Sequence, residues 1–138
     1  MRKRIPLQRT AASLLAAAFT IATLSSARAA TPQQLLADYA ARAGVAASAA
    51  RGEALFTQRH GQEWGCATCH GTPPTQTGRH ASTGKPISAL APAFNAERFT
   101  DSAKVEKWFR RNCNDVIGRE CSAGEKADVI AWLLTLNR

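Results

Sequence analysis

Gly65-Cys66-Ala67-Thr68-Cys69-His70-Gly71 constrains this chain of 138 residues more than any other stretch. Two thiols three positions apart can add across the two vinyl groups of a haem, and the histidine that follows presents its imidazole to the iron from the same turn. Two other uses of such cysteines fit less well. A tetrahedral zinc site wants two further ligands at short spacing, whereas Cys113 and Cys121 stand eight apart with no histidine near them. A thioredoxin-type pair requires a βαβ setting, and no such pattern is found. One covalently attached haem c is therefore expected, held by Cys66 and Cys69, with His70 as the proximal axial ligand.

The amino terminus reads as a leader. Arg2, Lys3, Arg4 and Arg9 precede an apolar stretch from about Ala11 to Leu24, and Ala27-Arg28-Ala29 follows it. This is the pattern of a secretory signal with an A-x-A cleavage site, so residues 1–29 are expected to be removed and the protein to be periplasmic. The apolar run is shorter than the roughly 18–20 residues that cross a bilayer, so no membrane span is expected after processing. Taking 29 residues from 138 leaves 109, which suits one domain over residues 30–138 with a modest core that a cross-link or a large cofactor would help. The leader holds five of the 18 Lys and Arg and none of the ten Asp and Glu, so the net charge falls from +8 to +3. No basic stripe interleaved with aromatics is present, and no nucleic-acid partner is expected. A weak preference for an acidic protein partner follows from the residual charge.

Helix signals dominate the rest. Thr31-Pro32-Gln33-Gln34 combines an N-cap, a proline at the first helical position and a capping-box glutamine, which predicts a helix to about Ala43, ended by Gly44. A second helix should start at Ser48 and carry Leu55 and Phe56 toward the cysteine motif. Gly71, Gly78 and Gly84 with Pro73, Pro74, Pro86 and Pro92 break any period over residues 71–99, which read as a wrapping loop with short turns. From Thr100 or Asp101, the positions Val105, Trp108, Phe109, Asn112 and Val116 approximate one helical face, and Asn112 interrupts its apolar character. The last helix begins at Ser122, in a capping box with Glu125, and carries Val129, Ile130, Trp132, Leu133 and Leu136. No segment alternates as a strand, so the chain is expected to be all-α.

Two cysteines remain. In an oxidising compartment an even remainder pairs, and a Cys113–Cys121 bond closing about nine residues contributes on the order of 2.5 kcal/mol in the chain-entropy model. The second face of the iron has no obvious occupant, because the only methionine is Met1. The candidates are His60, His80, a lysine, a cysteine, Asn112 or nothing. His60 lies six residues before Cys66, on the segment that turns into the attachment loop, and would reach the opposite face with difficulty. His80 follows ten residues of loop that could carry it around the haem to a bis-histidine iron. Asn112 places a neutral amide on an apolar helical stripe 42 residues after His70, beside the expected disulfide, although a capping or core-satisfied asparagine would look the same.

Residues Ala49 to Phe56 and Gly65 to Gly71 resemble the amino-terminal half of small class I cytochromes c. The stretches GRHASTGKPI, LAPAFNAERFTD, VEKWFRRNCNDVIGREC and EKADVIAWL resemble the monohaem sphaeroides haem protein (SHP) family over nearly all of the mature chain, including the leading helix with Tyr39. The resemblance implies a class I cytochrome c-like fold wrapped around one haem, with an extra N-terminal helix. It implies that Asn112, just before the first cysteine of the Cys113–Cys121 disulfide, is the sixth ligand. It further implies a high-spin haem that binds O2 or NO after reduction, with a dihaem cytochrome c and a membrane cytochrome b as electron donors.

An amide oxygen is a weak, hard donor that suits ferric better than ferrous iron. Reduction is therefore expected to release Asn112 and to open a pocket walled by Trp108, Phe109 and Val116 to O2, NO or CO. His70 should give its second ring proton to a carbonyl in residues 71–86. Arg79, His80 and Lys85 lie near enough in the loop to meet the haem propionates. The competing expectation is an ordinary electron carrier whose sixth ligand stays fixed, for instance a bis-histidine iron through His80. Turnover of oxygen or nitric oxide is left open, since no distal acid–base group beyond His80 stands out.

Overall fold

Helix boundaries follow the capping chemistry. In the computed structural model, which describes residues 29–61 and 63–138, α1 spans Pro32–Ala43. The Thr31 hydroxyl accepts from the Gln34 N–H at 3.1 Å and the Gln34 side chain accepts from the Thr31 N–H at 2.9 Å. Gly44 ends the helix in the left-handed conformation, φ 68°. The expected leader lies outside the described residues except for Ala29. Ser48 caps α2, Ala49–Thr57, and the attachment motif forms a single turn, α3, Cys66–His70. Asp101 caps α4, Ser102–Ile117, by accepting from the Lys104 N–H at 2.9 Å. Ser122 and Glu125 form the capping box of α5, Ala123–Thr135.

One correction falls in the loop. Residues 71–99 hold a short antiparallel hairpin, β1 (Gly78–Arg79) against β2 (Pro86–Ile87), with Gly78 opposite Ile87 and Arg79 opposite Pro86. Strands of two residues are too short for alternation to register in the sequence. The architecture is otherwise all-α, and no described helix is long and apolar enough to cross a membrane.

α1 and α2 both lie against α5. The α2–α5 crossing is so close at Gly52 that a Cβ there would overlap the Asp128 carbonyl. The buried Asp128 carboxylate accepts the Ser48 N–H at 2.6 Å and the Arg51 Nε and Nη2 at 2.7 and 2.9 Å, tying the start of α2 to α5. Leu35, Tyr39, Phe56, Ile130, Trp132 and Leu133 form the core, with Phe56 and Trp132 rings 5.0 Å apart. Burying each contributes about 1.5–3 kcal/mol.

α4 meets this trio through individual side chains. Val105 enters the core, and Phe109 packs edge-on to Tyr39 at 6.0 Å. Glu106 accepts from Tyr39 Oη and from Lys126 Nζ, both at 2.6 Å. A disulfide joins Cys113 to Cys121, their Cα atoms 5.7 Å apart. These contacts hold one edge of α4, and the face bearing Asn112 and Val116 stays only partly covered.

Candidate haem site

The attachment turn is prepared locally. The Gly65 N–H donates to Thr68 Oγ1 at 3.0 Å, and α3 then sets Cys66 and Cys69 three residues apart, on one side of its single turn. Both thiols are free and half-buried. Burial pushes the Cys66 thiol up to about 11, with the neighbouring Cys69 adding to it, so the sulfur stays neutral before use. His70 sits 6.0 Å from the Phe56 ring. Burial, and then the charge of Arg98, lowers its pKa to about 4, which keeps the imidazole neutral and able to coordinate a metal at pH 7.

The hairpin packs directly on this turn. Gly78 approaches the Cys69 carbonyl too closely for any side chain, and the Ala81 N–H donates to Cys69 Sγ at 3.4 Å. His80 is knotted into the hairpin turn: its N–H donates to the Lys85 carbonyl, its carbonyl accepts from the Gly84 N–H, both at 2.8 Å, and Nδ1 accepts from the Thr83 N–H at 3.3 Å. Arg79 Nη1 donates to the Gly84 carbonyl at 2.9 Å. Arg79, His80 and Lys85 thus come together beside Cys69. His60 is held elsewhere, with Nε2 2.8 Å from the Leu55 carbonyl. Among the described residues the His70 ring makes no hydrogen bond. The Pro74 carbonyl, within the segment expected to serve it, accepts instead from the Leu90 and Ala91 N–H groups at 3.0 and 3.1 Å.

Across the site, the three expected wall residues of α4 diverge. Val116 lines a cleft of about 450 Å³ with His60, Trp64, Ile117 and Gly118. Phe109 belongs to the core edge against Tyr39, and Trp108 is 43% exposed with the Arg111 guanidinium 5.7 Å from its ring. At about 100° per residue, Trp108 and Phe109 fall on opposite flanks of the line through Val105, Asn112 and Val116. Asn112 itself is partly buried on that line. Sequence reasoning missed Arg98. Its Nε and Nη2 donate to the Ala89 and Ser88 carbonyls at 2.9 and 2.7 Å, it makes no salt bridge among the described residues, and its charge reaches His70. The signal was available: Arg98 stands in AFNAERF, a cation between two phenylalanines. Neutral imidazole beside two half-buried thiols, a half-covered face on α4 and a guanidinium lacking a carboxylate together fit a haem.

Comparison with known proteins agrees with this chemistry. Residues 42–133 match a domain family described only as being of unknown function, DUF1924. The chain is 55% identical over 107 residues to the cytochrome c-type protein SHP of Cereibacter sphaeroides, covering 75% of this chain and 82% of that protein. It superposes on the structure of oxidised SHP, an oxygen-binding cytochrome c, with a TM-score of 0.73 at 50% identity, covering 78% of this chain and 99% of the other. The solution structure of cytochrome c'' from Methylophilus methylotrophus, studied for haem-ligand detachment, gives a TM-score of 0.67 at 38% identity and covers 78% and 94%. An all-α chain with this attachment turn and these relatives belongs to the SHP family of c-type cytochromes.

Proposed function

We propose that this protein is an exported cytochrome with one haem joined to Cys66 and Cys69, axial ligands His70 and Asn112, and an Asn112 that lets go on reduction so that O2 or NO can enter. When bound, the haem supplies an iron whose ferric form holds a neutral oxygen donor better than its ferrous form does, and whose vacated position accepts a diatomic ligand. The chain's own residues supply the rest. His70 stays neutral through burial, and Phe56 backs its ring. Cys113 is tied to Cys121, so the backbone next to Asn112 is fixed and release is confined to the side chain. The freed Asn112 NH2 can then donate a hydrogen bond to the diatomic guest. Arg98, with Lys85 on the hairpin, offers cations to the propionates. Electrons come from a redox protein, in keeping with the dihaem cytochrome c and membrane cytochrome b that the resemblance implies, and the leader places the protein in the periplasm.

The observation that carries this reading is the engagement of the rival ligands. His80 sits one residue from Ala81, whose N–H donates to Cys69 Sγ, so reaching the other face requires dismantling the hairpin. His60 is bonded to Leu55. The oxygen binding of SHP and the ligand detachment studied in cytochrome c'' run in the same direction. Absorption spectra of Asn112→Ala and His80→Ala test it. The asparagine variant is expected to change the oxidised spectrum and keep the reduced one, with the histidine variant matching wild type in both states. A changed oxidised spectrum in His80→Ala alone restores the bis-histidine carrier.

A further inference from the structure

α4 has a second face that the candidate site leaves unused. Lys104, Lys107, Trp108 and Arg111 recur at i, i+3, i+4 and i+7, which sets them on one side of the helix, and all four are exposed. At 43% exposure, Trp108 is one of two large apolar side chains so open to solvent among the described residues. Arg111 has Asp115 at 3.6 Å, a pair more than 60% exposed on both sides and therefore weak. Lys104 and Lys107 make no salt bridge among the described residues. Elsewhere Arg51, Arg119 and Lys126 are matched to Asp128, Glu125 and Glu106, and although Arg59 and Arg138 also lack a salt bridge among the described residues, this face alone sets such cations around an exposed indole. Two turns of α4 thus present an indole ringed by three cations whose charge is barely compensated.

We propose that this face is the docking surface for the electron-donating partner, a one-electron carrier protein that sets carboxylates against Lys104, Lys107 and Arg111 around Trp108. The proposal rests on the reading above that the cytochrome takes electrons from a protein. Tryptophan and arginine at the centre of a contact carry much of its binding energy, and peripheral charges steer encounter and raise its rate. Trp108 lies just over one turn, roughly 6 Å along the axis, before Asn112. A partner seated there reaches the edge of the site, where one electron leaves the carrier and the ferric iron becomes ferrous.

The test uses the full haem-loaded protein and a reduced plant-type [2Fe–2S] ferredoxin, an acidic one-electron donor, in stopped flow. Lys107→Glu/Arg111→Glu is expected to lower the second-order reduction rate at low ionic strength by about tenfold or more and to flatten its salt dependence. Arg59→Glu/Arg138→Glu makes the same change in net charge at residues outside α4 and is expected to lower the rate less than about threefold. Equal slowing by both pairs, or no slowing by the first, overturns the surface. Dithionite followed by carbon monoxide reads the gas site separately. A dithionite-reduced wild type that takes no CO defeats the proposed function, whereas equal ferredoxin rates in variants that still bind CO defeat the docking face alone.

Discussion

Glu125 does more than close the capping box of α5. Its carboxylate accepts from Arg119 Nη2 and Nη1 at 2.6 and 2.8 Å and from the Ser122 N–H at 2.8 Å. Arg119, and to a lesser degree the Ser122 N–H, holds its pKa down to about 2. An unfolded glutamate titrates near about 4.3, so the depressed native value stabilises the fold above that pH and the gain is lost as pH falls toward 2. Because Arg119 is more than half exposed, solvent screens the pair and the gain is only a small part of what the shift alone implies. Arg119→Met should therefore be less stable than wild type at pH 7, with the gap closing between pH 4 and pH 2 in denaturant titrations. A gap that persists undiminished at pH 2 would assign the loss to packing. The capping glutamate was readable from Ser-x-x-Glu, but its arginine was not, because that contact depends on how the chain turns after α4.

At the scale of elements, the three long helices and α2 began where their caps predicted, since each cap is a local contact between residues three apart. What joins the helices was less legible. Tyr39 on α1, Glu106 on α4 and Lys126 on α5 meet through two 2.6 Å hydrogen bonds, across separations of 67 and 20 residues. Tyr39 is 1% and Lys126 6% exposed, while the Glu106 side chain is 42% exposed. This imbalance fixes an order of costs. Glu106→Gln leaves a buried ammonium without its counter-charge and should cost about 2–3 kcal/mol, whereas Lys126→Met leaves a carboxylate that water and Tyr39 still serve and should cost under about 1.5 kcal/mol. Urea denaturation at pH 7 measures both, and the reverse order would show that Glu106 carries the desolvation. The hairpin beside Cys69 escaped prediction for a related reason: two-residue strands are specified by packing against α3, which Gly78 permits, and not by alternation.

Taken whole, the molecule divides into a tight helical trio and a fourth helix held along one edge, with the α3 turn against α2 and the hairpin against that turn. The stretch Cys66–His70 pointed to a haem because two thiols and an imidazole lie within five consecutive residues. The distal side was only partly legible, since helical spacing named the stripe through Val105, Asn112 and Val116 but could not say that Phe109 turns to Tyr39 and Trp108 to solvent. Arg98, whose effect on His70 arises from the fold of residues 88–99, left only a faint trace. A distal bond that depends on oxidation state is read most directly from the absorption spectrum of the haem-loaded protein, oxidised and then reduced, before and after carbon monoxide. High-spin signatures are expected in both states, five-coordinate on reduction, with CO bound in full. A reduced spectrum that is six-coordinate, low-spin and unmoved by CO would contradict this expectation.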